Sequence, residues 1–389
     1  MKEIKFMAMS MLVLGAVACS EKEEPKPEPV LKPIQEVIAK DGDTEVKAVI
    51  DHSAKTIKFE PFKELEEITA VEVKFTLAEG AKLVEPAQLV GKFDFTKPIK
   101  VVVNNRVVDL TYEMTGSQGK PDYIKKAGFV LTEEYGDLPE YIKVYKHNKL
   151  GEGENESGWL VAVDAKGSSI ALSDFYDPVK DANAKSIAQV AKENSGYAIH
   201  INGMCGMKSC HISGGEYKYS SSGAVAAFAV TKDGKFMIAP QKRVQKADKS
   251  YTIAMLDKTG KVVNEDWGKD LSVAFGGTAL MADDGKALTP EEQKATDGGY
   301  SFGWWNGNAG HAREAIGVSE KGDKAYFFIC GNDKGGLSMK AVQELMLEIN
   351  CWDVMFVEGS KSANILVRGK QTWTSNDGSK KTSHVLMIK

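Results

Sequence analysis

Between residues 37 and 115, apolar and polar positions alternate in short runs: TIKF, AVEVKFTL, IKVVV and RVVDLTYEM, with Gly, Pro and Asn between them. A period of two, rich in Val, Thr and Phe, predicts strands with one buried face, and so a small antiparallel β-sandwich over residues 37–115. Asn104-Asn105 separates the last two runs, where both residues can take the positive φ of a tight hairpin turn. The stretch TGSQGKPD, residues 115–122, reads as a boundary. From residue 121 to 389 the grain changes: GWLVAVDAK, GYAIHIN, AAFAVTKDGKFMIAP, AYFFIC and CWDVMFV read as strands. Residues 182–193 predict an amphipathic helix through Ile187, Val190 and Ala191. A second helix is predicted over 338–349, because Val342, Leu345, Met346 and Ile349 fall at i, i+3, i+4 and i+7 behind a Ser338 N-cap. HAREAIGV, residues 311–318, reads as a polar loop. The expected fold class is α+β: a mixed β-sheet domain with packed helices, preceded by the small antiparallel β-sandwich. With the 338–349 helix as a crossover, the flanking strands are expected to be parallel neighbours.

DVMFV is apolar on nearly every residue, as in a strand buried on both faces, and the turn EGSKSA follows it. Open α/β sheets place ligand-binding groups at such ends, so Glu358, Gly359, Ser360, Lys361 and Ser362 are the first candidates for a site. Three further segments share the trait of a strand end running into Gly, Asn and small polar residues. They are HINGMCG (200–206), FGGTALMADDGK (275–286) and HAREAIGV, with GND (331–333, ending in Asp333) beside the first candidates. Glycine lets a backbone approach a ligand closely, and four such segments suggest one polar cleft.

The amino terminus bears on compartment. Lys2 and Lys5 precede an apolar run over 6–18, and LGAVAC sets small residues before Cys19. This resembles a lipoprotein signal peptide over 1–18, cleaved before Cys19, whose thiol then carries the lipid. Residues 19–36, rich in Pro, Glu and Lys, read as a tether. The sandwich looks like the immunoglobulin-like modules of many Bacteroidetes surface lipoproteins, with spacing as its expected role. The chain is therefore expected to be an exported lipoprotein at the bacterial outer membrane or cell surface. A formal net charge of −4 over 389 residues supplies no basic footprint, so nucleic acid is not an expected partner. Cys205, Cys210, Cys330 and Cys351 allow local disulfides, Cys205 with Cys210 and Cys330 with Cys351, or buried free thiols. Their spacing is not that of paired CxxC elements, and no metal or cofactor is expected.

Over residues 196–369 the chain resembles the phosphodiester glycosidase family. That family shows a strand ending in NGGFF, a GGxPLxxDGK-like segment, HPRTAIG, DGR, a Gly-Leu-Ser helix start and a strand ending in DGGGSS. Here stand Asn202-Gly203, Gly276-Gly277 with Leu280 and Asp284-Gly285-Lys286, His311-Ala312-Arg313-Glu314-Ala315-Ile316-Gly317, Gly336-Leu337-Ser338, and Glu358-Gly359 with Ser360 and Ser362. The departures are Met204-Cys205 for Gly-Phe, Cys330-Gly331-Asn332 for Asp-Gly-Arg, and Glu358-Gly359-Ser360-Lys361 for an Asp and a Gly run.

The resemblance implies a hydrolase that cleaves the glycosidic bond of a sugar-1-phosphodiester. Alternatively, the chain is a surface lipoprotein that binds a glycan or phosphoglycan in the same cleft without catalysis. In the first reading Arg313 binds phosphate, His311 is a second contact or proton donor, and Glu358 is nucleophile or base at the anomeric carbon. Asn202, Gly203, Gly359, Ser360 and Asp333 line the sugar. Plainer roles also fit the residues: Arg313 pairing with Glu314, Glu358 capping a helix, His311 in a loop, Trp304 and Trp305 as a hydrophobic lid, and His200 pointing either way.

Overall fold

The computed structural model describes residues 27–65, 67–150, 157–175, 183–203, 210–297, 312–331, 337–359, 362–372 and 381–389. His311, Asp333, Ser360 and Lys361 lie outside the described residues, as do Trp304, Trp305, Cys205 and the whole amino terminus through Cys19. The chain divides into two compact units, Met1–Pro121 and Asp122–Lys389. Among the described residues β-sheet dominates and helices are few.

In the first unit, Thr44–Lys47, Ile34–Asp41, Val71–Leu77 and Val90–Phe93 form one sheet. Val49–Asp51, Thr56–Lys58, Asp109–Thr115, Ile99–Asn104 and Lys82–Glu85 form the other. Alternation sets the packing. Val71, Val73 and Phe75 turn inward while Lys74 and Thr76 are exposed, and the inward set meets Val101, Val103, Tyr112 and Met114. Three details depart from expectation. Ile34 is buried at the head of the first strand, so the ordered module begins inside the expected 19–36 tether. Thr56–Lys58 runs parallel to Asp109–Thr115, so the sandwich is not wholly antiparallel. The 104–109 hairpin turns on side chains instead of two left-handed asparagines. The Asn105 carboxamide oxygen accepts the amides of Val107 and Val108 at 3.2 and 2.9 Å, and Arg106 takes the positive φ of 82°.

The second unit is built from three larger sheets. An eight-stranded sheet runs in the order Val130–Leu131, Ile142–His147, Gly158–Asp164, Lys324–Cys330, Arg313–Val318, Asp353–Gly359, Leu280–Asp283, Lys286–Ala287. A five-stranded sheet is ordered Ile170–Leu172, Val385–Ile388, Ile199–Asn202, Ile365–Val367, Lys370–Gln371. A seven-stranded sheet centres on Leu271–Gly276 and Val225–Thr231. One core joins all three: Val161, Ile316, Phe327 and Val357 from the first, Ile199, Ile201, Ile365 and Leu386 from the second, Phe228, Phe236 and Phe275 from the third. The outer face of the eight-stranded sheet packs on the helix Met339–Glu348 through Val342 and Met346. The outer face of the five-stranded sheet packs on Ile187–Glu193 through Ile187 and Val190. Each helix has its serine N-cap, Ser338 to the Ala341 amide and Ser186 to the Gln189 amide.

Two expectations need correction here. Every strand pair of the second unit, among the described residues, is antiparallel, so the sheets are not mixed. HAREAIGV is not a loop from Arg313 onward. Arg313–Val318 is a central strand with every residue buried. Its two charged residues hide the signal, because both are strand residues at the end where the site lies. The hairpin from Arg313–Val318 to Lys324–Cys330 fills the neighbouring position first. The helix therefore carries the chain across Arg313–Val318, and Asp353–Gly359 pairs with that strand's far edge. Lys324–Cys330 and Asp353–Gly359 run in the same direction with one strand between them, which is why they are not parallel neighbours.

The same geometry separates two thiols. Cys330 lies opposite Arg313 at one end of that strand, whereas the Cys351 sulfur lies against Gly317 near the other. Cys210, Cys330 and Cys351 are buried thiols outside any disulfide, so no Cys330–Cys351 bridge forms.

Candidate functional site

Antiparallel pairing brings the ends of three strands together. Arg313 faces Gly359 and Glu314 faces Glu358 across the pair, with a bulge before Ala315. The chain then leaves Asp353–Gly359 and passes through Ser362 and Asn364 into Ile365–Val367, which pairs with Ile199–Asn202. Asn202 fastens that passage. Its amide donates to the Asn364 carbonyl at 2.9 Å and its side-chain Nδ2 to the Ser362 carbonyl at 2.5 Å. Glu314 holds the same passage from the other sheet, its Oε2 accepting the Asn364 amide at 2.9 Å. Asn202, Glu314, Glu358, Ser362 and Asn364 thus form one polar cluster at the junction of two sheets. Glu314 is fully buried and Glu358 partly exposed.

The electrostatics of the carboxylates follow from that placement. Burial drives the Glu314 carboxyl well above its ordinary range, the Asn364 amide pulls it back, and the nearby Glu358 charge raises it further. Burial thus favours the neutral form of Glu314. Its Oε1 and the Asn202 Oδ1 have no hydrogen-bond partner among the described residues. On the partly exposed side, Glu358 Oε2 accepts the Gly359 amide at 3.2 Å.

Gly203 follows Asn202 at a point where only glycine fits. A Cβ there would lie 2.5 Å from Nε2 of His384 and 2.8 Å from its carbonyl oxygen. The Gly203 amide donates to that carbonyl at 3.1 Å, and the Thr382 hydroxyl donates to the Gly203 and His384 carbonyls. His384 is fully buried. Its Nδ1 lies 2.8 Å from the Ser383 hydroxyl and 3.2 Å from the Tyr219 hydroxyl, and burial holds its pKa well below the ordinary histidine value. His211 lies beside it, ring centroids 5.6 Å apart and planes tilted by 42°.

Of the residues expected to share a cleft, Asn202, Gly203, Glu358, Gly359 and Ser362 come together. Arg313 is adjacent in the sheet but on its other face. Alternation groups it with Ala315 and with Cys330 on the helix side, and groups Glu314 with Ile316 and Ile329 on the side of the shared core. Arg313 is fully buried, donates to the Ala312 carbonyl at 3.1 Å, and has its pKa lowered by burial. The glycines of FGGTALMADDGK approach protein and not an open cleft: a Cβ on Gly277 would lie 2.5 Å from the Phe356 carbonyl oxygen. Asp284 and Gly285 sit at the Asp353 end of the strand, away from Glu358. There Asp283, Asp284 and Asp353 bring carboxylate oxygens within 4.8 Å of one another, and burial lifts Asp353 to about 6. No second feature of that cluster points to a ligand.

The sequence reading missed Glu314, Asn364 and His384. Glu314 had a usable signal, since Ala315, Ile316 and Val318 after it read as a strand once the charged pair is set aside.

Comparison with known proteins bears on this cluster directly. The phosphodiester glycosidase family model matches residues 182–389, more than half of the chain, and spans every residue of the Asn202–Glu314–Glu358 cluster. The chain belongs to the phosphodiester glycosidase family. Among solved structures it is similar to the catalytic domain of zebrafish N-acetylglucosamine-1-phosphodiester alpha-N-acetylglucosaminidase, auto-inhibited by its pro-peptide. The identity is 16%, with 67% of this chain and 87% of that chain covered, at a TM-score of 0.49. A Synechocystis protein aligns at 10% identity over 93% of this chain and 81% of that one, with a TM-score of 0.47. No curated protein sequence matches the chain. Within the family pattern, Glu314 stands where HPRTAIG has Thr, directly opposite the Glu358 that stands for the family's Asp.

Proposed function

We propose that this phosphodiester glycosidase family member is a hydrolase that cleaves the glycosidic bond of a sugar-1-phosphodiester at the Glu314–Glu358 pair. The observation that carries the reading is the cross-strand pairing of two carboxylates with different environments, in a chain of this family. Glu314, fully buried, is pushed toward its protonated form, and Glu358 is the member that a substrate can reach. Glu358 then acts at the anomeric carbon, as nucleophile or as base for the attacking water, while an oxocarbenium-like state develops. The departing phosphate monoester is stable as an anion, so the leaving group makes little demand for a proton. Asn202 and Asn364 hold the passage that carries the sugar-facing backbone, and Glu314 acts as a positioning residue behind Glu358. Arg313 is not assigned the phosphate contact, because its neighbours lie on the helix side of the sheet.

One observation favours a second reading, in which the chain binds a phosphoglycan without cleaving it. Cys330 and Asn332 stand where the family pattern has Asp and Arg. Incubating the full chain with an N-acetylglucosaminyl or glucosyl methyl phosphodiester, and measuring free sugar by mass spectrometry, separates the two. Release by the wild type and none by Glu358→Gln, with binding kept, supports hydrolysis; binding by both with no release by either supports the second reading.

We also place the reaction at a membrane surface, with lipid on Cys19 holding the chain through its Pro/Glu-rich tether. The support is the basic, apolar and small-residue pattern of residues 1–19. No helix among the described residues is long and apolar enough to cross a membrane.

A further inference from the structure

The five-stranded sheet that carries Asn202 at one end of its Ile199–Asn202 strand borders a cavity of about 900 Å³ at the other. Ala198 and His200 of this segment line it, His200 lying two residues, about 7 Å, along the strand from Asn202 at the usual rise per residue. The lining brings together Lys192 from the last turn of the Ile187–Glu193 helix, Arg368 from just past Ile365–Val367, and Lys389 from just past Val385–Ile388. No Asp or Glu side chain lines it, and none of the three cations has a carboxylate partner among the described residues. Counting a carboxylate on the Lys389 main chain still leaves the lining positive. All three are exposed, and together they give the concavity a positive potential that favours an anion.

The remaining lining narrows the class. Tyr197 lies under the Lys389 ammonium, 5.1 Å from ring centroid to nitrogen, and Tyr141 supplies a second ring. His200 also lines the cavity, but it is 1% exposed with both ring nitrogens buried, so it closes the wall and offers a ligand no polar group. Aromatic faces suit the C–H face of a pyranose, and the volume is at the upper end for small-molecule sites.

We propose that this cavity is a second binding site for an anionic sugar, a pyranose bearing a phosphate or a carboxylate. The anion meets Lys192, Arg368 and Lys389; the ring lies against the tyrosines. This site is distinct from the Glu314–Glu358 cluster and does not rest on the hydrolase reading.

Isothermal titration calorimetry of the full chain with glucose 6-phosphate, glucuronate, glucose and inorganic phosphate tests it. At least one of the two anionic sugars should bind, the tighter identifying the preferred anion. Glucose and inorganic phosphate should each bind at least about tenfold more weakly, as loss of a charge-assisted contact implies. Lys192→Ala and Arg368→Ala, both at exposed positions, should each weaken the anionic sugar by a similar factor while melting like the wild type. Glu358→Gln should leave this binding unchanged whether or not the chain is a hydrolase. The proposal is overturned by absence of heat with both anionic sugars, or by inorganic phosphate binding as tightly as the sugar phosphate. Binding that Glu358→Gln abolishes and Arg368→Ala spares would also overturn it.

Discussion

Replacing Glu314 by Gln tests the electrostatics of the site without disturbing its packing. Gln has the shape of the protonated acid, and its carbonyl can still accept the Asn364 amide now held at 2.9 Å. The variant should therefore unfold within about 1 kcal/mol of the wild type where both side chains are neutral. Glu314→Ala should not: it strands the buried Asn364 amide, at about 1–3 kcal/mol, and leaves a cavity, for a total of about 3–5 kcal/mol. In a unit of this size that lowers Tm by about 10 °C. The pH dependence is more specific. Glu314 has a raised folded-state pKa, so its proton is bound by the folded chain after the unfolded chain has lost it. The Glu314 contribution to stability is fully present below the ordinary glutamate value and is lost as pH rises through the window up to the folded pKa. The decline is about 1.4 kcal/mol per pH unit while Glu314 alone stays protonated. Glu314→Gln should lack this component, so the wild-type and variant curves should diverge steadily above about pH 5 in urea unfolding. Parallel curves from pH 4 to 8 would refute the protonated Glu314 and with it the division of roles in the pair.

Gly203→Ala should lower Tm measurably, by about 1–3 kcal/mol of overpacking, because its Cβ would meet both the ring and the carbonyl of His384; an unchanged melting curve would show that the contact is easily relieved. Cys19→Ala should move the protein from the membrane to the soluble fraction on ultracentrifugation, and a variant that still sediments with membranes would count against the lipid anchor. A chain truncated to Asp122–Lys389 should melt in one cooperative transition, since that unit has its own core; aggregation or a broad, featureless melt would indicate that it depends on the first unit.

Much of this architecture was legible because periodicity and burial agree. The i, i+3, i+4, i+7 set at Val342, Leu345, Met346 and Ile349 lies on the sheet, behind the serine that caps it. The apolar run of Asp353–Gly359 is a strand buried on both faces, between the shared core and the helix layer. What stayed hidden is what a local pattern cannot carry. Arg313 and Glu314 look like surface residues until the pairing of Arg313–Val318 with strands from both sides places them inside. The antiparallel order follows from which strand occupies the neighbouring position first, a matter of topology and not of propensity. His384 lies far in sequence from Gly203 and meets it only because Val385–Ile388 pairs with Ile199–Asn202. The tether was read slightly too long because a Pro-rich approach gives no sign that Ile34 is already buried.

The central claim is that water adds to the sugar carbon and not to phosphorus, with Glu358 carrying the step. The full chain incubated with a sugar methyl phosphodiester in ¹⁸O-labelled water, followed by mass spectrometry of both products, measures this directly. The account predicts one labelled oxygen in the released sugar, none in the methyl phosphate, and no release of either by Glu358→Gln. Label in the methyl phosphate, or undiminished release by Glu358→Gln, would contradict it.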